Sequence, residues 1–527
     1  MNNIITLNTS ISKATSFGLL AIFLFTSCNT FFEPEDTTIV DIKTRDDFNS
    51  ATGGVKDLLM YWMIDFEFCK VRYFGDDLLY GQIPYYYYYN QNLDVGVGTE
   101  TDPELSEEYW KKLYQIIISV NNVMVQYDDA KFDFDGINQS LGELLFIRAY
   151  CYFLMVRLYG NIPIVKDIVI NEKLAKASYQ EIYSFIENDL KRALPLVLKS
   201  KDRNECFSLD QACVKGLLTE VYLSWAGFPA KDISKYSEAA KTAGELIDNA
   251  SQYNLAFIDN LNTLWTEGMV NTGEDLFCYY TNNIEIGHKL IAPYYRFYNP
   301  VSAHGNFYSS EKVGYSNLNR YEVEATFYNN FPKGFRKDLT FFTSIYVPED
   351  LTGTTKRDTG IFYINHIVDK IRPVYRKFFI DTTNYKPSSP AYSSTSPKIN
   401  FLRLTHTILT YAEAQARTGE VTTKAYEWIN KIRRRANNVP VDVPSMYDLP
   451  IGLSPEAFAD SVLLERTWEL AGEFEGRWFD LVRLEKVEEV YNAKVEGDKE
   501  SYFIENPTGT YFLEIPVYDQ LINPNLE

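Results

Sequence analysis

Histidine is almost missing: four in 527 residues, at positions 288, 304, 366 and 406, too few and too scattered for a zinc ligand set or a nucleophilic triad. Cysteine is scarce as well, six in all with no C-x-x-C spacing, so neither a zinc knuckle nor a redox motif has material to draw on. No G-x-S-x-G elbow, Walker loop or H-E-x-x-H helix occurs. Positive charge is in deficit: 51 Lys and Arg stand against 71 Asp and Glu, a net charge of −20. That field repels phosphate backbones and argues against a nucleic-acid partner. No stretch reaches the 18 or so apolar residues of a membrane-spanning helix. Lys131-Phe132-Asp133-Phe134-Asp135-Gly136 imitates a calcium loop, but it places Lys131 at the first ligand position and Gly142 where a bidentate glutamate is needed, and so predicts a turn. No cofactor or metal is expected. So many carboxylates would include close pairs by chance, which keeps a glycosidase arrangement open without favouring it.

What the chain does have is aromatic rings: 40 Tyr, 34 Phe and 7 Trp. Five tyrosines run consecutively from Tyr85 to Tyr89 and lead into Asn90, Gln91 and Asn92. In a strand they would alternate faces, so some ring exposure is forced. An exposed ring packs against the C–H face of a sugar while neighbouring amides bridge its hydroxyl pairs. Tyr294-Tyr295-Arg296-Phe297-Tyr298-Asn299 repeats this chemistry. The candidate glycan contacts are therefore Tyr85, Tyr87, Tyr89, Asn90, Asn92, Tyr294, Tyr295 and Tyr298, with packing or partner contact the open alternative for both clusters. Trp265 reads as core.

Residues 17–25, FGLLAIFLF, follow a segment whose only charge is Lys13, and Thr26-Ser27-Cys28 come next. Nine residues cannot span a bilayer core of about 30 Å. They form the apolar centre of a signal peptide, residues 1–27. The small residues before Cys28 resemble a bacterial lipobox, with Phe25 where leucine is usual. Acylation at Cys28 would tether the mature chain, residues 28–527, through two or three fatty chains. Cysteines 69, 151, 206, 213 and 278 read as buried thiols.

Helical periodicity comes in blocks. Trp110, Leu113, Tyr114 and Ile117 share one face, and the run from Leu141 to Val156 stops at Gly160 and Pro163, predicting a helical hairpin. Val214, Leu217, Leu218, Val221, Tyr222 and Trp225 precede a turn with Gly227 and Pro229; then come Tyr236, Ala239, Ala240, Ala243, Leu246 and Ile247. The small alanines let the partner helix approach closely, the logic of tetratricopeptide hairpins. A further pair joins Leu404, Ile408, Ala412 and Ala416, across Gly419, to Ala425, Trp428, Ile429 and Ile432. Between about 251 and 398 the period fades into Gly-, Asn-, Ser- and Tyr-rich sequence with short strands. This predicts one domain: a helical scaffold over about 40–250 and 399–490, interrupted by a loop-rich insertion.

Several segments together carry a family resemblance. They are Arg148-Ala149-Tyr150-Cys151-Tyr152-Phe153 with Leu158-Tyr159-Gly160-Asn161-Ile162-Pro163-Ile164-Val165, the Val221-Tyr222-Leu223 helix, and Leu402-Arg403-Leu404 through Tyr411-Ala412-Glu413-Ala414. Ile429-Asn430-Lys431-Ile432-Arg433-Arg434-Arg435-Ala436, Glu465-Arg466 with Glu469-Leu470, Arg477-Trp478-Phe479-Asp480-Leu481-Val482-Arg483, Ile515-Pro516 and Asn523-Pro524-Asn525-Leu526 complete the set. In this order they resemble the SusD/RagB family of outer-membrane nutrient-binding lipoproteins. The resemblance implies a mainly α fold: four tetratricopeptide-like helix pairs in a superhelical scaffold, with the irregular insertion beside them. It also implies a non-catalytic, surface-facing, lipid-anchored lid over a SusC-like TonB-dependent transporter, capturing oligosaccharides or, in some branches, peptides. The Arg477–Arg483 stretch belongs to the scaffold there, which assigns it to packing and ion pairing. Ligand residues vary with the glycan across the family, so none carries over.

Overall fold

The computed structural model describes residues 42–64, 78–80, 103–130, 133–166, 173–202, 208–264, 273–280, 321–341, 344–349, 353–358, 398–473, 477–495, 498 and 511–527. Its main helices are α1 (Arg45–Ile64), α2 (Pro103–Ala130), α3 (Ile137–Tyr159), α4 (Tyr179–Ala193), α5 (Gln211–Ala226), α6 (Lys235–Asp248), α7 (Leu404–Arg417), α8 (Thr423–Ala436), α9 (Pro455–Glu469) and α10 (Arg477–Arg483). They pack as α1 on α2, α3 on α4, α5 on α6 and α7 on α8, and successive pairs touch in a continuous row. The row does not follow the chain throughout: α6 packs directly on α7, more than 150 residues later. The helix row is therefore continuous across the stretch of chain between α6 and α7.

Residue chemistry sorts these helices into inner and outer ones. Along α3, α5 and α7 nearly every side chain is buried, whereas α4, α6 and α8 bury one stripe and face water with the other. The outer α6 presents Ala239, Ala240 and Ala243 to its neighbours, all buried, and this permits the close approach. Inner helices surrounded by protein must pair any charge they carry. Each does. Glu143 of α3 takes Lys56 of α1 at 2.7 Å, and Arg148 of α3 forks onto Asp189 of α4 at 2.7 and 2.9 Å. Glu220 of α5 meets Arg466 of α9 at 2.8 Å, and Glu413 of α7 meets Arg483 of α10 at 2.6 and 2.7 Å.

The helices of the three expected pairs are present and in contact, and α1, α4 and α9 are additions to them. α4 has no counterpart among the periodic blocks, although α3 packs extensively on it. Its start is marked by a capping box in which the Ser178 hydroxyl accepts from the Glu181 N–H at 3.3 Å and Glu181 accepts from the Ser178 N–H at 2.8 Å. The predicted turn at Asp135-Gly136 is seen, and Gly142 lies inside α3. A Cβ there would stand 2.6 Å from Val197, so glycine serves close packing at that position. Gly227, after α5, is equally constrained: a Cβ would fall 2.6 Å from the Arg483 carbonyl, which accepts the Phe228 N–H at 2.8 Å.

Cys151, Cys213 and Cys278 are buried thiols, and burial pushes the Cys151 thiol well up. Cys28, Cys69 and Cys206 lie outside the described residues. Among the described residues no helix is long and apolar enough to cross a membrane. The C-terminal residues 511–527 return across the first half: the Leu513 N–H donates to Leu158 O at 2.7 Å, and the Asn523 and Asn525 amides donate to Leu174 O and Lys173 O at 2.8 and 2.9 Å.

Burial alone would raise the Glu413 carboxyl, but the Arg483 guanidinium outweighs it, helped by Arg417, and holds Glu413 at about 2. A depressed carboxylate contributes stability that is complete above its unfolded value of 4.5 and is lost as pH falls towards 2. Glu413→Gln leaves Arg483 buried without its anion. It should cost about 3–5 kcal/mol in chemical denaturation at pH 7 and flatten the wild-type loss of stability between pH 4.5 and 2.

Candidate functional site

The strands set where the aromatic segments leave the scaffold. β1 (Leu78–Tyr80) pairs antiparallel with β3 (Tyr321–Val323), Leu78 opposite Val323 and Tyr80 opposite Tyr321. β2 (Asp275–Tyr280) pairs antiparallel with β6 (Lys398–Arg403), from Asp275 opposite Arg403 to Tyr280 opposite Lys398. β4 (Ser344–Glu349) and β5 (Gly353–Asp358) form a hairpin within the insertion. In an antiparallel ladder the end of one strand lies beside the start of the other, with Cα atoms about 5 Å apart. The chain thus passes into residues 81–102 at Tyr80, beside the point where residues 281–320 rejoin at Tyr321. It likewise leaves at Tyr280 beside Lys398, where the insertion returns.

Tyr85, Tyr87, Tyr89, Asn90 and Asn92 belong to the segment that starts at Tyr80, and Tyr294, Tyr295 and Tyr298 to the segment that ends at Tyr321. These eight residues and Trp265 lie outside the described residues. What the structure brings together is their anchor points.

Beneath β2 and β6 sits a buried ionic cluster. Arg403, at the end of β6, donates to both carboxylate oxygens of Glu473 at 2.8 Å, to Glu469 at 2.9 Å and to Glu274 at 3.1 Å. Arg435, from α8, binds Glu274, Glu469 at 2.9 Å and the Ile258 carbonyl at 2.8 Å, and its guanidinium lies 4.2 Å from the Phe257 ring centre. Thr405 completes Glu274 with a 2.6 Å bond. Arg336, from the short helix Phe335–Thr340, reaches Glu465 and Glu469 of α9, and Arg433 reaches Glu465 at 3.0 Å. Burial by itself would drive the Arg403 guanidinium towards neutrality, but Glu473, Glu469 and Glu274 hold it well above its usual value. Most of the cluster's side-chain hydrogen bonds run between its own members.

Such a cluster cannot serve as an acid–base pair. Glu274, Glu469 and Glu473 are closed to water and matched by guanidinium groups. Arg483 likewise pairs with Glu413 and Asp480, and Arg466 with Asp480 and Glu220, so these signature arginines work as internal struts. Among the described residues no group of three His, Cys, Asp or Glu side chains is placed to hold a metal ion. Glu274 and Arg336 were not among the expected scaffold residues. The available signal was Glu274-Asp275 leading into the apolar run Leu276-Phe277-Cys278.

Most of the charged motifs thus pair inside the helical-repeat scaffold, and the segments that carry the tyrosine clusters are rooted at paired strands. Two family models match in succession: residues 80–223 match one described as "Starch-binding associating with outer membrane", and residues 350–523 match the SusD family. The chain is 23% identical over 447 residues to SusD-like protein P2 of Formosa agariphila, covering 81% of this chain and 80% of that one. A SusD homolog from Bacteroides thetaiotaomicron superposes with a TM-score of 0.71 at 20% identity, over 91% of this chain and 96% of the other. A laminarin-binding SusD-like protein gives 0.65 at 20%, over 92% and 98%. The chain belongs to the SusD/RagB family.

Arg403→Met would leave Glu274, Glu469 and Glu473 short of one cation, at a cost of about 3–5 kcal/mol. The foot of the insertion should then open before the helices do, with limited proteolysis cutting first between residues 251 and 398 while far-UV dichroism is retained. A digestion pattern identical to wild type would mean that strand pairing alone holds the foot.

Proposed function

We propose that this chain is a non-catalytic glycan receptor of the outer membrane, which captures oligosaccharides and delivers them to a SusC-like TonB-dependent transporter. The observation that carries the reading is the adjacency of Tyr80 and Tyr321, which roots two tyrosine-rich segments at one end of a single ladder. Rings offered from two segments can grip a sugar chain from two sides. Each ring contact is worth about 1 kcal/mol by analogy with other aromatic contacts, so several in concert retain a ligand without any reacting group. The family description as starch-binding and the laminarin-binding neighbour support a neutral glycan. A net charge of −20 disfavours polyanionic ones.

Acylation at Cys28 places the receptor at its transporter. Tethering replaces free diffusion by a high local concentration, so modest affinity suffices for hand-over. The anchor, the surface-facing orientation and the transporter partnership rest on the Cys28 motif and on the family, described as associating with the outer membrane.

Titration calorimetry against starch-, laminarin- and xyloglucan-derived oligosaccharides should find at least one ligand. Replacing Tyr85, Tyr87 and Tyr89, or Tyr294, Tyr295 and Tyr298, by alanine should weaken it about fivefold per contacting ring, with the melting temperature unchanged. Silence across the panel with peptides bound instead would reassign the cargo, and release of reducing ends would make the protein an enzyme. Cys28→Ser should also abolish fatty-acid labelling and free the protein from the membrane fraction.

A further inference from the structure

The short helix Val517–Ile522 is amphipathic the wrong way round. Val517 and Leu521 are 66% and 76% exposed and Tyr518 45%, while Asp519 is 1% exposed. Neither Asp519 carboxylate oxygen has a hydrogen-bond partner. The Trp110 indole N–H, also buried, exerts an attraction on it from α2 without completing a bond. The carboxylate is pressed against an aromatic wall: Trp110 lies edge-on to Tyr114 and Tyr159, with centroids 4.8 and 5.1 Å apart. The two phenols are engaged elsewhere, Tyr114 with Pro163 O at 2.8 Å and Tyr159 with Ser106 O at 2.5 Å. An ionised carboxylate here lacks the compensation that Glu143, Glu220 and Glu413 of the inner helices receive.

We propose that residues 511–527 form a proton-controlled latch: protonation of Asp519 fastens this C-terminal strap across α2 and α3, and ionisation loosens it. The strap's other ties are independent of pH in this range. They are the Leu513 N–H to Leu158 O, the Ser106 hydroxyl to Glu514 O, the Asn523 and Asn525 amides to the 173–174 backbone and the Lys176 ammonium to Glu527 O, together with the buried Leu513, Ile515 and Leu526 and the rings of Tyr511 and Phe512 against Phe228. The charged and titratable groups around the carboxyl are Glu107 and Lys111 on α2, with Tyr114 there and Tyr159 on α3. Lys173 and Lys176 lie on the segment under the strap's end. Burial is the main influence and Glu107 adds to it; together they outweigh Lys111 and the indole and lift Asp519 to about 6 from 3.8. A carboxyl raised in the docked state binds more protons there than in the open one, so docking strengthens as pH falls through 6 and weakens as it rises. Between pH 7 and pH 5 the docking equilibrium should shift about tenfold.

Hydrogen exchange of the Leu513 and Asn523 amides, corrected for intrinsic rates and measured on the full chain, tests this. The wild type should gain about tenfold protection from pH 7 to pH 5. Asp519→Asn should be flat across that range and already better protected at pH 7. Equal slopes in the two proteins, or loss of protection on acidification, would overturn the latch. A carbon-13 titration of the Asp519 carboxyl in the unmodified protein is an independent test: a midpoint near 6 supports the latch and one near 4 refutes it. Trp110→Phe, which deletes the indole donor, should move that midpoint higher still.

Discussion

The meeting of Arg403 and Arg435 with Glu274, Glu469 and Glu473 is the interaction on which the rest of the architecture depends. These charges come from the start of the insertion, its end, α8 and the end of α9, stretches separated by up to two hundred residues. A buried ion with its partners removed costs several kcal/mol, so a conformation that leaves any of these elements undocked is penalised at once. A well-packed apolar foot would contribute comparable stability. What an ionic foot adds is specificity of register, because Arg403 reaches its carboxylates only when β6 sits opposite β2 as observed. A bulge at Leu276 belongs to that register: its carbonyl accepts from the Cys213 thiol at 2.7 Å, and Leu276 packs against Gly216 of α5. The insertion is thereby clamped to the scaffold at its root, and Arg336, donated from within it, fastens it a second time.

The same device recurs on each of the inner helices α3, α5 and α7. An inner helix surrounded by protein could slide or rotate if its surface were uniformly apolar. One charge on it, answered by one on a neighbour, removes that freedom: Arg148 with Asp189, Glu220 with Arg466, Glu413 with Arg483. Asn121 also accepts from Arg148 at 2.7 Å and donates to Val165 O at 3.0 Å, tying α2 and the chain beyond α3 to the same point. The signature motifs are therefore charged because they lie inside, the reverse of the usual association of charge with surface.

This explains how much the sequence discloses. Helices α2, α3, α5, α6, α7 and α8 were legible because period and stop signals such as Gly160 and Gly419 act locally. α4 escaped periodicity, yet its Ser178–Glu181 box is a local signal that a search for caps would find. The partners of the charges were not legible. Glu274 and Arg435 are 161 positions apart, and no local rule links them. Nor was the adjacency of Tyr80 and Tyr321, which is a fact of strand pairing and not of pattern. Composition identified the tyrosine clusters as the chemistry to explain, and pairing supplies where they are rooted.

On the proposed function, ligand chemistry and fold stability are carried by different residues. The scaffold's charges are matched within the protein and offer nothing to a sugar, while the tyrosine clusters lie in segments that contribute none of the ionic struts described above. On that proposal, substitution in those segments would alter the glycan bound at little cost to the helix row, since independent sites contribute additively to stability. A receptor built this way can change its cargo without renegotiating its core. That separation is consistent with relatives that keep this fold at about 20% identity.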